Sequence, residues 1–183
     1  MSPTALETTK APGDVKEDSV VTTEIKRANW SKFCRQFNET NQFRTSSLSV
    51  KYKRKAEVQI AGERPFVGLA ITRKGRAFAG IELHTAKADP TAVHETAVAI
   101  QRPEKILLER TNDGQDASLT LESKDGTVVR VELNGDRSQQ TYESFVREVA
   151  YAMYQNRGQH GRDREDWFEA ERKINEASTA FVQ

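Results

Sequence analysis

Histidine, cysteine and paired carboxylates are the side chains that could carry chemistry in this 183-residue chain, and the first two are scarce, at three His and one Cys. His84 and His94 stand on either side of Asp89-Pro90, a turn signal. If that turn joins two strands, the imidazoles lie roughly opposite each other on one face. With Glu82 or Thr96 they would begin a metal site, the core of a metal-dependent enzyme. A structural zinc site needs four ligands and a catalytic one three, and no HExxH, CxxC or clustered Asp pattern supplies the rest. Cys34 falls on an apolar helical stripe, where a thiol is a small buried hydrophobe. A nucleophile would need a base nearby, and no spacing offers one. Glu109, Asp113, Asp116, Glu122 and Asp125 are spread through strands and turns, where a solvated face explains them. There is no P-loop, no GxGxxG and no GxSxG. The residues thus assign no catalytic group, no metal and no cofactor.

Charge is the stronger signal. The chain balances 28 Lys and Arg against 27 Asp and Glu, yet residues 25–76 carry a net +10. Residues 1–24, 77–137 and 138–183 carry −3, −4 and −2. The densest positive point is Lys51, Lys53, Arg54 and Lys55. One reading is a solvated strand and loop whose lysines keep a sheet edge from aggregating. The other is a surface for an acidic partner: Arg44, Lys51, Lys53, Arg54 and Lys55 would contact nucleic-acid phosphates, with Tyr52 available for stacking. Tyr52 shares the alternation of Leu48 and Val50, which turns its ring toward the core and argues against stacking.

The elements that must position these groups follow from periodicity. Residues 1–24 are polar and aperiodic and read as a disordered tail. Asn29 is a helix cap ahead of Trp30, Phe33, Cys34 and Phe37, one stripe of a three-turn helix. From Thr45 the period becomes two: Leu48, Val50 and Tyr52 alternate with polar residues. Val58 and Ile60 continue that strand or begin another, Gly62 and Pro65 punctuate, and 66–72 reads as the next. Further strands carry Phe78, Ile81 and Leu83; His94 to Ile100; Ile106 and Leu108; Leu119 and Leu121; and Val129 to Leu133. A three-residue loop, Lys124-Asp125-Gly126, pairs Leu121 with Val129 and Leu119 with Val131, with Gly126 left-handed. A two-residue turn would oppose Leu121 to Arg130. Six or seven short strands without intervening helices predict an α+β fold: an antiparallel β meander, as a curved sheet or small barrel, over residues 25–137. The amphipathic N-terminal helix would cover it.

Residues 138–183 are helical. Thr141 caps a helix whose Tyr142, Phe145, Val146, Val149, Met153 and Tyr154 line one side. Gly158 stops it, and Asp163 caps a second helix with Trp167, Ala170, Ile174 and Ala177 along its stripe. This αα-hairpin needs the sheet or a second chain to dock on. Trp167 reads as the knob between the helices, and Arg162, Asp163, Arg164 and Asp166 as an ion-pair lattice over the turn.

Residues 146–174, VREVAYAMYQNRGQHGRDREDWFEAERKI, resemble the bacterial family catalogued as domain of unknown function 2934. The residues that carry the likeness are Arg157-Gly158, His160-Gly161-Arg162-Asp163, Asp166-Trp167 and Ala170-Glu171. Residues 27–134 are more loosely similar to domain of unknown function 5335, through Trp30, His94, Pro103 and LERTNDGQDASLTLESKDGT at 108–127. The basic run at 51–55 departs from that second pattern. Neither resemblance implies an activity.

No apolar run approaches the ~18 residues of a membrane span, the first residues lack the apolar core of a signal peptide, and one cysteine makes no internal disulfide. The expectation is a bacterial, cytoplasmic binding or regulatory module with no membrane association. It would recognise a protein partner, or itself, through Tyr154, His160, Arg162 and Trp167. Nucleic-acid binding through residues 25–76 is the alternative, and a metal-dependent enzyme at His84 and His94 the remote one.

Overall fold

The computed structural model describes residues 20–75, 77–135, 139–158 and 161–182. Its strands are β1 (Val21–Glu24), β2 (Thr45–Lys51), β3 (Glu57–Lys74), β4 (Ala77–Ala86), β5 (His94–Gln101), β6 (Pro103–Arg110), β7 (Asp116–Ser123) and β8 (Val128–Asn134). Its α-helices are α1 (Trp30–Asn41), α2 (Gln139–Arg157) and α3 (Asp163–Thr179). The eight strands form one antiparallel sheet in the order β1-β6-β7-β8-β2-β3-β4-β5. Two meanders, β2 to β5 and β6 to β8, are joined where β8 pairs with β2, so the fold is α+β.

The apolar pattern sets the register. Leu119 faces Val131 and Leu121 faces Val129, as the three-residue loop requires, and Gly126 closes that loop at φ 85°. Val131 and Val129 in turn face Leu48 and Val50 of β2. These residues, with Trp30, Cys34 and Phe37 of α1 and Ile81, Leu83, Ile100, Ile106 and Leu108, form the main core.

Strand β3 is longer than its punctuation implies. Residues 57–65 pair with β2, and 66–74 pair with β4. Phe66 sends its N–H to Arg44 and receives that of Phe43. Alternation therefore points the Pro65 nitrogen at the opposite edge, where residues 57–65 have no strand partner, and its missing donor costs no ladder bond. Beyond the hand-over, β2 no longer flanks β3. There the Asn38 side chain accepts from the Leu69 N–H at 2.8 Å and donates to its carbonyl at 3.0 Å, standing in for a strand.

Several ends differ from expectation. Val21–Glu24, assigned by composition to the tail, pair with Leu107–Arg110; Val21 and two threonines suit a short strand that covers an edge. The rest of that tail, residues 1–19, lies outside the described residues. Asn29 makes no capping bond, and a 3-10 turn, Arg27–Asn29, leads into α1 instead. Helix α2 already begins at Gln139, so Thr141 sits in its first turn. Asp163 is the first helical residue of α3 rather than its cap, and with Glu165 and Asp166 it places three carboxylates at the positive end of the dipole.

The αα-hairpin docks on the sheet. Phe145, Val146, Val149, Ala170 and Ile174 share a second core with Phe43, Val67, Ala86 and Val93. Lys173 Nζ reaches the Pro90 carbonyl at 2.8 Å, and Gln42 Nε2 the Ser178 carbonyl at 2.9 Å. Among the described residues no helix is long and apolar enough to cross a membrane.

Candidate functional site

The far end of the hairpin is built by glycine and an ion pair. Gly158, at φ 66°, ends α2, a conformation that a β-carbon disfavours. The preceding Arg157 forks its two terminal guanidinium nitrogens, Nη1 and Nη2, onto the carboxylate of Asp166, which is buried in the first turn of α3. That bidentate geometry locks the two helix ends together. It replaces the expected lattice, because Asp166 turns inward to Arg157 while Arg162 meets Glu165 at 3.3 Å in solvent. Beside the fork lies a groove of about 460 Å3 lined by Arg147, Ala150, Tyr151, Tyr154, Gly161, Asp163, Asp166 and Trp167.

Residues 143–176 match the family described as Protein of unknown function (DUF2934). No curated protein and no solved structure matches the chain. The likeness of residues 27–134 to domain of unknown function 5335 rests on the sequence motifs alone.

The helical hairpin brings two of the four expected contact residues, Tyr154 and Trp167, onto one groove. Trp167 is half-buried: it packs against the second core and also borders the groove. Arg162 is exposed beyond it, and His160 lies outside the described residues. Tyr151 was not foreseen. It falls off the apolar stripe, yet it is 59% exposed and stacks on Tyr154 with ring centroids 6.2 Å apart. Its only sequence signal is an aromatic three residues before another on a helix.

The basic residues divide. Lys51, Lys53, Arg54 and Lys55 are all exposed, within a run from 51 to 60 in which every residue is exposed. Arg44 is not among them. It is buried, with Nε donating to the Gly135 carbonyl at 2.9 Å and Nη1 to Asn41 Oδ1 at 2.8 Å and the Asp116 carbonyl at 2.7 Å. A guanidinium that satisfies buried carbonyls does not reach a phosphate, so Arg44 is a structural residue. Tyr52 is corrected the other way: β2 ends at Lys51, alternation stops there, and the ring stands 48% exposed.

His84 and His94 do meet, diagonally rather than directly opposite. His84 faces Thr96 and His94 faces Ala86, with imidazole centroids 5.2 Å apart. The ring of Phe181 closes over both, at 4.8 and 5.3 Å. Glu82 Oε2 lies 3.5 Å from His84 Nε2. Among the described residues no group of three or more His, Cys, Asp or Glu is placed to hold a metal ion. Cys34 has the expected buried place, and burial pushes its thiol up to about 12.

Burial lowers the pKa of His84, as does the neighbouring His94, and Glu82 opposes this only in part. Burial alone lowers that of His94. Both imidazoles are therefore neutral in the fold at pH values where the unfolded chain, near its ordinary 6.5, already takes up protons. Stability is full above that value and is lost as the pH falls from it toward the depressed folded values. Urea unfolding at pH 7.5 and 5.0 is expected to show this loss, and H84Q/H94Q is expected to reduce it. An equal loss in the variant would assign the pH dependence to other groups.

Proposed function

We propose that the chain is a bacterial cytosolic recognition module without catalytic machinery, which captures a protein partner at the groove of its DUF2934 hairpin. The observation that carries this reading is the stack of exposed Tyr151 on half-buried Tyr154, bordered by Trp167 and Arg147, on the side of the hairpin that the sheet does not cover. Tyr, Trp and Arg are the residue types that anchor interfaces, because they combine large contact area with a polar end. Tyr151 is not part of the second core, which uses Tyr142, Phe145, Val146, Val149, Ala150 and Met153 of the same helix. The single cysteine supports a reducing compartment.

A photo-crosslinking residue placed at 151 in the full chain, in bacterial cells, tests the reading. The expected result is one dominant protein adduct that is absent when the crosslinker sits at exposed Glu132 on the sheet, and that weakens at least tenfold in a Tyr154→Ala background. Identical adducts at both positions, or none at 151, would overturn it.

A further inference from the structure

The β2–β3 ribbon is a separate feature that partner capture by the hairpin does not use. Its strands are in register from Val50 opposite Val58 to Lys51 opposite Glu57, and a turn held by the Lys55 N–H on the Tyr52 carbonyl, at 2.9 Å, closes it. Arg54 sits at the third position of that turn with φ 63°, the left-handed conformation for which glycine is the ordinary residue. A long cation is thus held at the apex where a glycine would relieve the backbone. Lys51, Lys53 and Lys55 surround it, exposed, and no ion pair with a carboxylate engages any of the four among the described residues. Glu57, opposite Lys51 on β3, accepts from the Ser49 hydroxyl. A β-carbon at Gly126, in the neighbouring β7–β8 turn, would lie 3.4 Å from the Lys53 stem, so the two turns stand side by side.

We infer that this turn is a nucleic-acid contact: Lys51, Lys53, Arg54 and Lys55 lie along the phosphates of duplex DNA, with Tyr52 exposed among them. Exposed cations that no carboxylate engages, gathered on one turn, are what phosphate contacts require. The apolar Val58 and Ile60 stand on β3 behind the charged apex rather than at it, which disfavours insertion into a lipid surface, where the apolar residues would lead. A single aromatic at the apex is too little for a single-strand stacking track. The inference concerns a surface other than the hairpin groove and stands or falls independently of it.

The test is fluorescence anisotropy of a labelled 20-base-pair duplex and the matching single strand, titrated with the full chain at 50 and 200 mM salt. Four phosphate contacts predict about 100-fold weaker duplex binding at the higher salt. K51S/K53S/R54S/K55S, all exposed positions, is expected to abolish binding with an unchanged circular dichroism spectrum. R54G is expected to bind several-fold more weakly while its urea midpoint holds or rises, separating phosphate contact from folding. No duplex binding at 50 mM, or equal binding by the quadruple variant, would overturn the inference. So would tighter binding to the single strand, or binding to phosphatidylglycerol vesicles without binding to duplex.

Discussion

Replacing Asp116 with alanine is expected to remove about 3 kcal/mol of folding stability, because it breaks the charged cluster that ties α1 to both meanders. Asp116 is 6% exposed. Its Oδ2 accepts from Asn41 Nδ2 at 2.8 Å and its Oδ1 from Arg110 Nε at 2.8 Å, and Arg44 Nη1 bonds both Asn41 Oδ1 and the Asp116 carbonyl. Alanine would leave the buried Arg44 cation without the carboxylate of its cluster and would strip Asn41 of an acceptor. Losing one member of a buried charged network costs more than the net worth of the pair, since the remaining groups stay desolvated. Removing Arg110 instead should cost well under half as much, because that side chain is 52% exposed and mostly hydrated in either state. Urea unfolding of D116A and R110A checks both, with m unchanged so that the midpoints report stability. Equal losses would show that the exposed pair, rather than the buried cluster, carries the energy.

This cluster marks the limit of what the sequence makes legible. Local pattern identifies the β7–β8 hairpin and its register, because Leu119, Leu121, Val129 and Val131 are close along the chain and Gly126 constrains the loop. The stripes of α1, α2 and α3 and the match of residues 143–176 are likewise local. Arg44 and Asp116 meet across 72 positions, so nothing near Arg44 distinguishes a buried guanidinium from a surface one. Strand β3 misleads because Gly62 and Pro65 usually interrupt a strand, whereas here the partner changes from β2 to β4 and the affected edge is free. Tyr52 misleads because alternation predicts a face only while the chain remains in the sheet. Of the candidate sites, the basic apex is readable from composition. The Tyr151–Tyr154 stack is not, since it depends on which face of α2 the sheet covers.

Gly68 offers the second large effect, and it joins the sheet, the histidines and the C-terminal end of α3. A β-carbon at position 68 would lie 2.6 to 2.8 Å from Cγ, Cδ1 and Cβ of Phe181. Those atoms are close to the Phe181 backbone, whose carbonyl is held by Asn38 Nδ2 at 2.7 Å, so the ring has little freedom to swing aside. Gly68→Ala is expected to destabilise the fold by about 1–3 kcal/mol, the range for overpacking a well-filled site, although alanine is otherwise the better strand residue. The cause separates from simple loss of packing in a double-mutant cycle. Phe181→Ala alone uncovers His84 and His94 and costs stability on its own. With the ring gone the clash is gone, so adding Gly68→Ala to F181A should cost almost nothing. The coupling between the two positions should therefore nearly equal the single cost of Gly68→Ala. Urea midpoints of the wild type, both single variants and the double variant measure that coupling. Additive losses would place the cost of the methyl group in the β3 backbone and not against Phe181.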